Sequence, residues 1–400
     1  MDRAPPGRQF FVYWLGQALS GFGDAFAFVA LPLLVLEATR SVSAMGLVSA
    51  AGVGAQIATS LFSGALVDRV DRRRLMLACD LGRAAVYALA PTIWLLGGAS
   101  LPLLYAIAVL GGALGNVFSV ACMTAVPALV DTEYLHSANA RLQGAFALSY
   151  VIGSMAAGAV CARTGGAIAL LVDAASFFAS ATSILFIRFD RPGTARESDP
   201  GELRCGAGLR FLARHRALRA ITVLLILLGL TGNIGVGAGI TDLMIFHLKR
   251  ELALGDQVVG LCMGTSALGA IIGAVSAPAV TRRLGSGLCL SAGTLVQALG
   301  LITIGRLSSA VAAAAGGLLW AAGMMLRNVP LVSFRQSAVP RELLGRVTAA
   351  SWIATLAASA LGTAIVTRVA ASAGASATLS AVGVFVALVA CAGAFGALRT

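Results

Sequence analysis

The sequence predicts an all-α polytopic membrane protein with twelve transmembrane helices in two pseudo-symmetric six-helix bundles, and three observations carry that reading. Of the 400 residues, 58% are apolar and only 12% charged, against about 25% charged in soluble domains. The mean hydropathy is +0.89, so most of the exterior must face lipid, because so few charged side chains cannot clothe a soluble body of this size. The apolar residues gather in runs, and at about 20 residues per span twelve helices use roughly 240 residues and leave enough for loops. One long polar stretch, 188–217, divides the runs six and six.

The first half, 1–187, forms the N-terminal bundle. Span 1 (10–36) follows the short polar start MDRAPPGRQ, and its apolar run is too long for a cleavable signal. It carries Asp24, about 14 residues or roughly 21 Å of helical rise from its start, which is too deep for a short side chain to reach either interface. An ionised Asp near the bilayer centre costs about 2.5–3.5 kcal/mol on insertion scales, so it must face water, be paired or hold a proton. Two readings fit: a carboxyl that binds and releases a proton, or one that bonds backbone amides beside Gly23 and holds a kink. Span 2 (43–66) runs into Gly64-Ala-Leu-Val-Asp68-Arg69-Val-Asp71-Arg72-Arg73-Arg74. There a glycine permits close helix approach, an acid four residues on can bond a neighbouring helix terminus, and the arginines can pair with acids or lipid phosphate. A solvated basic loop is the alternative. Span 3 (75–97) holds Asp80 and Arg83 at i, i+3, able to neutralise each other. With Gly64, Asp68, Arg69, Arg72 and Arg73 they form a candidate gating network, or else a structural pair. Span 4 (101–126) carries Gly111, Gly115 and Asn116; span 5 (138–162) carries Phe146, Tyr150 and Gly153; span 6 (166–187) carries Asp173, read as an interhelical hydrogen-bonding acid.

Residues 188–217 are read as a cytoplasmic linker that includes the basic amphipathic segment GLRFLARHRALR, suited to a membrane surface of anionic lipid. Residues 218–400 form the C-terminal bundle. Span 7 (218–247) contains the glycine cluster Gly229–Gly239 around Asn233, where a broken helix would line a site with backbone groups. Asp242, near His247, Lys249 and Arg250 at the end of this span, is expected at an exposed interface. Span 8 (256–281) has Gly260/Gly264 and Gly269/Gly273 at close-packing spacing. Span 9 (286–306) carries Gln297. Span 10 (309–334) carries Arg327-Asn328, expected to snorkel to the interface or else to meet an anion or a carboxylate. Span 11 (344–369) holds Trp352, and span 12 (374–398) completes the set. Gln17, Asn116, Phe146, Tyr150, Asn233, Gln297 and Trp352 are polar or aromatic residues that either line a cavity or, more simply, join helices.

A net charge of +12 raises nucleic acid as a partner, but the basic residues lie in short clusters between apolar runs, which argues against it. With the N-terminus inside, the even-numbered connections and both tails hold most of the 29 Lys and Arg residues, so both termini are expected in the cytoplasm. The 7 cysteines are dispersed without a C-x-x-C pair and imply neither a disulfide framework nor a metal site. No G-x-x-x-x-G-K-[ST], G-x-S-x-G or H-E-x-x-H occurs, which leaves an ATP-driven pump or an intramembrane hydrolase without support. The halves echo one another: a constant shift places Gly23-Asp24 on Gly232-Asn233, Glu133 on Glu342 and Gly153 on Gly362.

GALVDRVDRRRLM resembles the signature loop between spans 2 and 3 of the major facilitator superfamily. SGFGDAFAFVALPLLV, CDLGRA, HSANARLQ, VDAASFFAS, GLRFLARHRALR and RQSAVPRELLGRV, in that order, are similar to the branch containing bacterial macrolide and enterobactin (siderophore) exporters. The chain departs from the general pattern at Asp71, where the signature has glycine, and at Gly153–Gly158, which lacks the proline of many antiporters. The resemblance implies a secondary transporter, not an enzyme, that exports a small drug-like, antibiotic or siderophore-like molecule by proton antiport. Two six-helix bundles would alternate access around a central cavity; the residues themselves, read by depth and polarity within the spans, offer Asp24 as proton-coupling residue and Asn233, Asn116, Gln297 and Arg327 as substrate or coupling candidates. It implies no cofactor beyond a proton gradient, and as partners a small molecule, protons and the bilayer, with a monomer at work in the bacterial inner or cytoplasmic membrane. An uptake carrier or facilitator on the same fold is the alternative. A non-transporting receptor or a membrane-embedded enzyme is the rival from another class.

Overall fold

A computed structural model of the chain describes residues 7–97, 100–130, 134–187, 205–232, 239–339 and 341–395. Among these residues the ordered elements are helices joined by short turns, and no strand occurs. They group into two compact units, Met1–Arg40 with Ala51–Glu197, and Ser41–Ala50 with Ser198–Thr400.

The N-terminal unit contains α1 (Arg8–Thr39), the body of α2 (Val42–Arg69), α3 (Arg72–Gly97), α4 (Leu101–Leu129), α5 (Leu135–Thr164) and α6 (Gly166–Leu185). α1 packs against α5 and α6, and α3 against α4 and α6. Lipid gives no hydrophobic drive for helices to associate, so small residues set the contacts by letting backbones approach. A Cβ built on Gly23 of α1 would lie 2.6 Å from Asp173 Oδ1 of α6, and one on Gly16 would lie 2.7 Å from Ser183 Cβ. On the other side of α1, a Cβ on Gly153 of α5 would lie 2.8 Å from the Phe22 carbonyl. At one end of the unit Phe10, Tyr13, Met76, Phe118 and Ile184 close an apolar core. Within it Tyr13 Oη and Cys122 Sγ share a 2.7 Å hydrogen bond.

The C-terminal unit contains α7 (Cys205–Arg214), α8 (Arg216–Gly229), α9 (Ile240–Phe246), a π-helical turn (His247–Glu251), α10 (Asp256–Leu284), α11 (Ser286–Arg306), α12 (Ala310–Ala338), α13 (Arg341–Ala373) and α14 (Ala375–Phe395). α12 packs on α10 and α11, and α11 on α14. Glycines again set the approach: a Cβ on Gly273 would sit 2.9 Å from the Ala322 carbonyl carbon, and one on Gly293 would sit 2.7 Å from the Arg327 amide nitrogen. α7 turns Phe211 and Leu212 onto Leu218, Val339 and Val347 and leaves Arg210 and Arg214 exposed, the two-faced character expected of the basic segment.

Ten helices are long and apolar enough to cross a bilayer among the described residues. The other two expected spans depart from the simple pattern for identifiable reasons. α3 is long enough, but Arg72, Arg73, Arg74, Asp80 and Arg83 reduce its apolar character. Span 7 is divided: α8 stops at Gly229, Gly232 and Gly239 take φ of +67° and +58°, and α9 resumes at Ile240. Those dihedrals cost little for glycine and much for any residue with a Cβ. The break falls within the glycine cluster, as expected; Asn233 itself lies outside the described residues. Beyond α9, Glu251 accepts from the amides of Ala375 at 2.6 Å and Ser376 at 3.0 Å, capping α14, and its other contact is His247 Nδ1 at 2.5 Å. Asp242 corrects the expectation of an exposed interfacial acid: it is 0% exposed, because the restarted helix turns it inward against the unit.

A buried charge cluster as candidate functional site

The N-terminal unit holds a cluster of ionisable side chains from α1, α3 and α6. Arg83 of α3 is 7% exposed, and its guanidinium donates through Nη2 to Asp24 Oδ1 of α1. Nη1 stands 3.9 Å from Asp80 Oδ1, one turn earlier on the same helix. The i, i+3 pair expected from spacing is thus the weaker contact; the strong partner comes from α1, across a helix interface that sequence spacing does not report. Phe177 of α6 lies flat beneath the guanidinium carbon, 3.7 Å from ring centroid to Cζ, and Phe118 of α4 flanks it at 5.8 Å. A planar guanidinium over an aromatic face gains cation–π attraction that strengthens when water is excluded.

Asp173 is sealed, 0% exposed, with Oδ1 accepting from Ser176 Oγ at 3.3 Å and Oδ2 without a partner among the described residues. Asp80 is also 0% exposed, and neither of its oxygens makes a hydrogen bond among the described residues. Asp24 differs from both: 47% of its side chain remains accessible. It reaches open space on one side and Arg83 on the other. Gly23 lets this assembly form, since any side chain there would occupy the position of Asp173 and Ser176. Tyr87 packs its ring on Phe177 at 5.8 Å, and Tyr150, ring to ring with Phe28 at 5.1 Å, keeps a buried hydroxyl without a partner among the described residues. Three carboxylates therefore share one guanidinium. A buried carboxylate without a matching cation is costly when ionised, so charge balance in such a site requires protons.

The expected gating loop is built differently. α2 runs to Arg69 and α3 begins at Arg72, with Val70 and Asp71 between them. Asp71 Oδ1 accepts from the Arg74 amide at 2.9 Å and caps α3, which accounts for an acid where the superfamily signature has glycine. Arg73 donates through Nε to the Ile184 carbonyl at 3.3 Å and through Nη2 to the Leu185 carbonyl, satisfying the end of α6. Arg69 is exposed and Arg72 half-buried. Gly64 and Asp68 lie on α2, and the side chain of Asp68 lies outside what the structure describes. Asp80 and Arg83 belong to the buried cluster rather than to this loop.

Of the remaining candidates, Asn116 donates to Thr59 Oγ1 at 3.1 Å and joins α4 to α2. Gln17 donates to Ser180 Oγ at 3.4 Å and joins α1 to α6. Trp352 is 56% exposed. Arg327 of α12 corrects the expectation that it snorkels: it is 1% exposed and donates through Nη1 to Gln297 Oε1 of α11 at 2.9 Å. The close α11–α12 approach at Gly293 and Gly323 encloses it before it can reach an interface. No carboxylate pairs with it among the described residues, and its Nε has no partner there. Reading the sequence missed Phe177 and Tyr87. The signal for Phe177 was present, since it follows Asp173 by four residues and so shares its helix face.

Residues 13–363 match the sequence profile of the Major Facilitator Superfamily. Among curated relatives, the multidrug efflux pump Tap of Mycolicibacterium fortuitum is 30% identical over 213 residues, 51% of this chain and 52% of the relative, so the match spans about half the length of that protein. The enterobactin exporter EntS of Escherichia coli O1:K1 is 26% identical over 346 residues, 84% of this chain and 79% of the relative. Solved structures of similar fold include a nucleoside transporter NupG variant (TM-score 0.83, 11% identity, 97% of this chain and 100% of that one). A bacterial homologue of the iron transporter ferroportin is also similar (TM-score 0.74, 18% identity, 97% and 99% covered). With a superfamily match running from α1 into α13, the chain belongs to the Major Facilitator Superfamily.

Proposed function

We propose that this chain is a transporter, not an enzyme, that exports a small drug-like, antibiotic or siderophore-like molecule by proton antiport with alternating access, in the inner or cytoplasmic membrane of a bacterium with both termini in the cytoplasm. The observation that carries the proton-coupled reading is the ratio of three carboxylates, Asp24, Asp80 and Asp173, to the single guanidinium of Arg83 in a buried site. Arg83 offsets one negative charge, so the others persist in low dielectric only as neutral acids or with water beside them. Asp24, half-accessible and directly paired to Arg83, is where a proton would enter or leave. When Asp24 takes a proton, Arg83 is released toward Asp80 and Asp173, and the electrostatic preference of α1 for α3 changes with it. Export is supported by the names of the relatives, an efflux pump and an exporter. The stretch Gly153–Gly158, without the proline of many antiporters, favours a facilitator as the second reading.

The test uses cells stripped of their major exporters, expressing the protein or Asp24→Asn, with accumulation of lipophilic antibiotics and catechol siderophores measured with and without a protonophore. Lower accumulation that depends on Asp24 and is abolished by the protonophore is the expected result. A reduction indifferent to the protonophore moves the protein to the facilitator reading. A rise in accumulation moves it to uptake.

A further inference from the structure

We propose that Phe177 of α6 is the positioning residue of the Arg83 cluster: its ring face holds the guanidinium edge-on to Asp24, withholds it from Asp173, and so decides which acid keeps the counter-charge. The proposal deepens the proton-coupled reading above and rests on it. Three carboxylates compete for Arg83, and Coulomb attraction alone favours the two that are sealed. Asp80 and Asp173 are both 0% exposed, whereas 47% of the Asp24 side chain is accessible, and attraction to a cation grows as water is excluded. The observed pairing runs the other way. Nη2 of Arg83 goes to Asp24, Nη1 stands 3.9 Å from Asp80 without a hydrogen bond, and no ion pair joins Arg83 to Asp173 among the described residues. Arg83 Nε and Asp173 Oδ2 are left as a buried donor and a buried acceptor, each without a hydrogen-bond partner among the described residues.

The ring accounts for that choice. A guanidinium carries its N–H donors at the edges of its plane and none on its faces. Phe177 takes one face, 3.7 Å from ring centroid to Arg83 Cζ, and thereby fixes the plane in which the donors point. Phe177 follows Asp173 by four residues and shares its helix face, so a guanidinium seated on the ring turns a flat face, not an edge, toward α6. Its edges are left for Asp24 on α1 and Asp80 on α3. The ring itself is held in place: it is 0% exposed, and Tyr87 packs against it at 5.8 Å and 48°.

The other ionisable groups that face the cluster are Tyr13 of α1, Cys79 and Tyr87 of α3, Cys122 of α4 and Tyr150 of α5, phenols and thiols that add no cation. No second cation approaches the three acids among the described residues. By assigning the one cation to Asp24, the ring keeps ionised the acid that meets open space and leaves the sealed pair to hold protons.

Fluorination of the ring tests this, because each fluorine draws electron density from the ring face and weakens its hold on a cation while hardly changing the ring's size. The purified full-length protein in lipid nanodiscs carries mono-, di- or trifluorinated phenylalanine at position 177. The infrared band of the protonated Asp24 carboxyl, identified by its loss in Asp24→Asn, is followed against pH without substrate. A guanidinium loosened from the ring leans toward Asp173 and deserts Asp24. The pH at which the band is half-developed should therefore rise with each fluorine, by about one pH unit over the series, or about tenfold in proton affinity. Phe177→Leu should move it in the same direction. A half-point that stays at the wild-type value across the fluorinated series, in protein of unchanged thermal midpoint, makes Phe177 a packing residue and overturns the proposal. A half-point that falls overturns it as well, and so does the absence of any Asp24-dependent band. Failure of the proton-antiport reading is recognised separately, as flux indifferent to a protonophore, which leaves the fluorine series standing.

Discussion

Arg83 is the residue on which the charge of the N-terminal unit turns. It pairs with Asp24, approaches Asp80 and lies on Phe177, so its removal strands carboxylates that have no other described cation. Breaking a buried pair from one side costs about 3–5 kcal/mol, most of it the penalty of the charge left behind. We therefore expect Arg83→Met to lower the thermal midpoint sharply, and Arg83→Met with Asp24→Asn to recover much of the loss. Additive effects of the two substitutions in a double-mutant cycle would mean that they do not interact. Arg83→Lys keeps the charge but loses the planar face on Phe177 and the fork geometry. It should keep most of the stability while slowing proton-driven flux by about tenfold or more, a loss on the order of 1.4 kcal/mol in the transition state. Asp24 was legible in the sequence because depth along a helix can be counted. Its partner was not, since residue spacing reports neighbours on one helix and the 59-residue separation of Asp24 and Arg83 is closed only by packing α1, α3 and α6 together.

The glycines decide at the scale of the element which helices can approach. Gly23 faces the Asp173 and Ser176 side chains of α6, whereas nothing lies within 4 Å of a Cβ on Gly144 of α5. Gly23→Val should push α6 away and break up the acid cluster, costing about 1–3 kcal/mol as overpacking of a filled interface. Gly144→Ala should be neutral or stabilising by up to about 1 kcal/mol, because alanine restricts the unfolded chain and meets nothing in the folded one. Midpoints of thermal unfolding in detergent check both, and equal shifts would show that the α1–α6 contact does not depend on Gly23. The break in span 7 makes a companion case. Gly239 holds φ +58° with Gly232 Cα 2.9 Å from its Cβ position, so Gly239→Ala should lower stability and slow turnover beyond any effect on substrate binding. A wild-type rate in that variant would remove the break from the working cycle. The same elements show where the sequence was readable. Apolar run length located most spans; α3 and span 7 departed from it because buried charge and a glycine break are local exceptions to hydropathy, serving packing rather than insertion. Asp242 was misjudged for that reason: proximity in sequence to His247, Lys249 and Arg250 suggested an interface, and the helix restart at Ile240 buries it.

At the scale of the molecule the two units treat their buried arginines oppositely. In the N-terminal unit Arg83 is outnumbered by acids; in the C-terminal unit Arg327 has a neutral amide, Gln297, and no carboxylate among the described residues. A buried guanidinium without a counter-charge is already costly, so replacing it by an apolar side chain of similar reach relieves desolvation while losing one bond to Gln297, itself worth about 1–3 kcal/mol for a charged donor. Arg327→Met should therefore leave stability unchanged or raise it, in contrast to the steep loss expected for Arg83→Met, when the two are compared by thermal unfolding under one condition. A buried guanidinium with no described carboxylate beside it is an intramembrane charge of the kind that marks substrate pathways, and the use its chemistry allows is attraction of negative charge during the cycle. Flux of an acidic catechol siderophore should then fall in Arg327→Met far more than flux of a cationic antibiotic, with both falling together in Asp24→Asn because the driving force is shared. If Arg327→Met destabilises as strongly as Arg83→Met, the guanidinium is a packed structural donor, and if it slows both compounds alike, it belongs to the transport cycle but not to substrate choice.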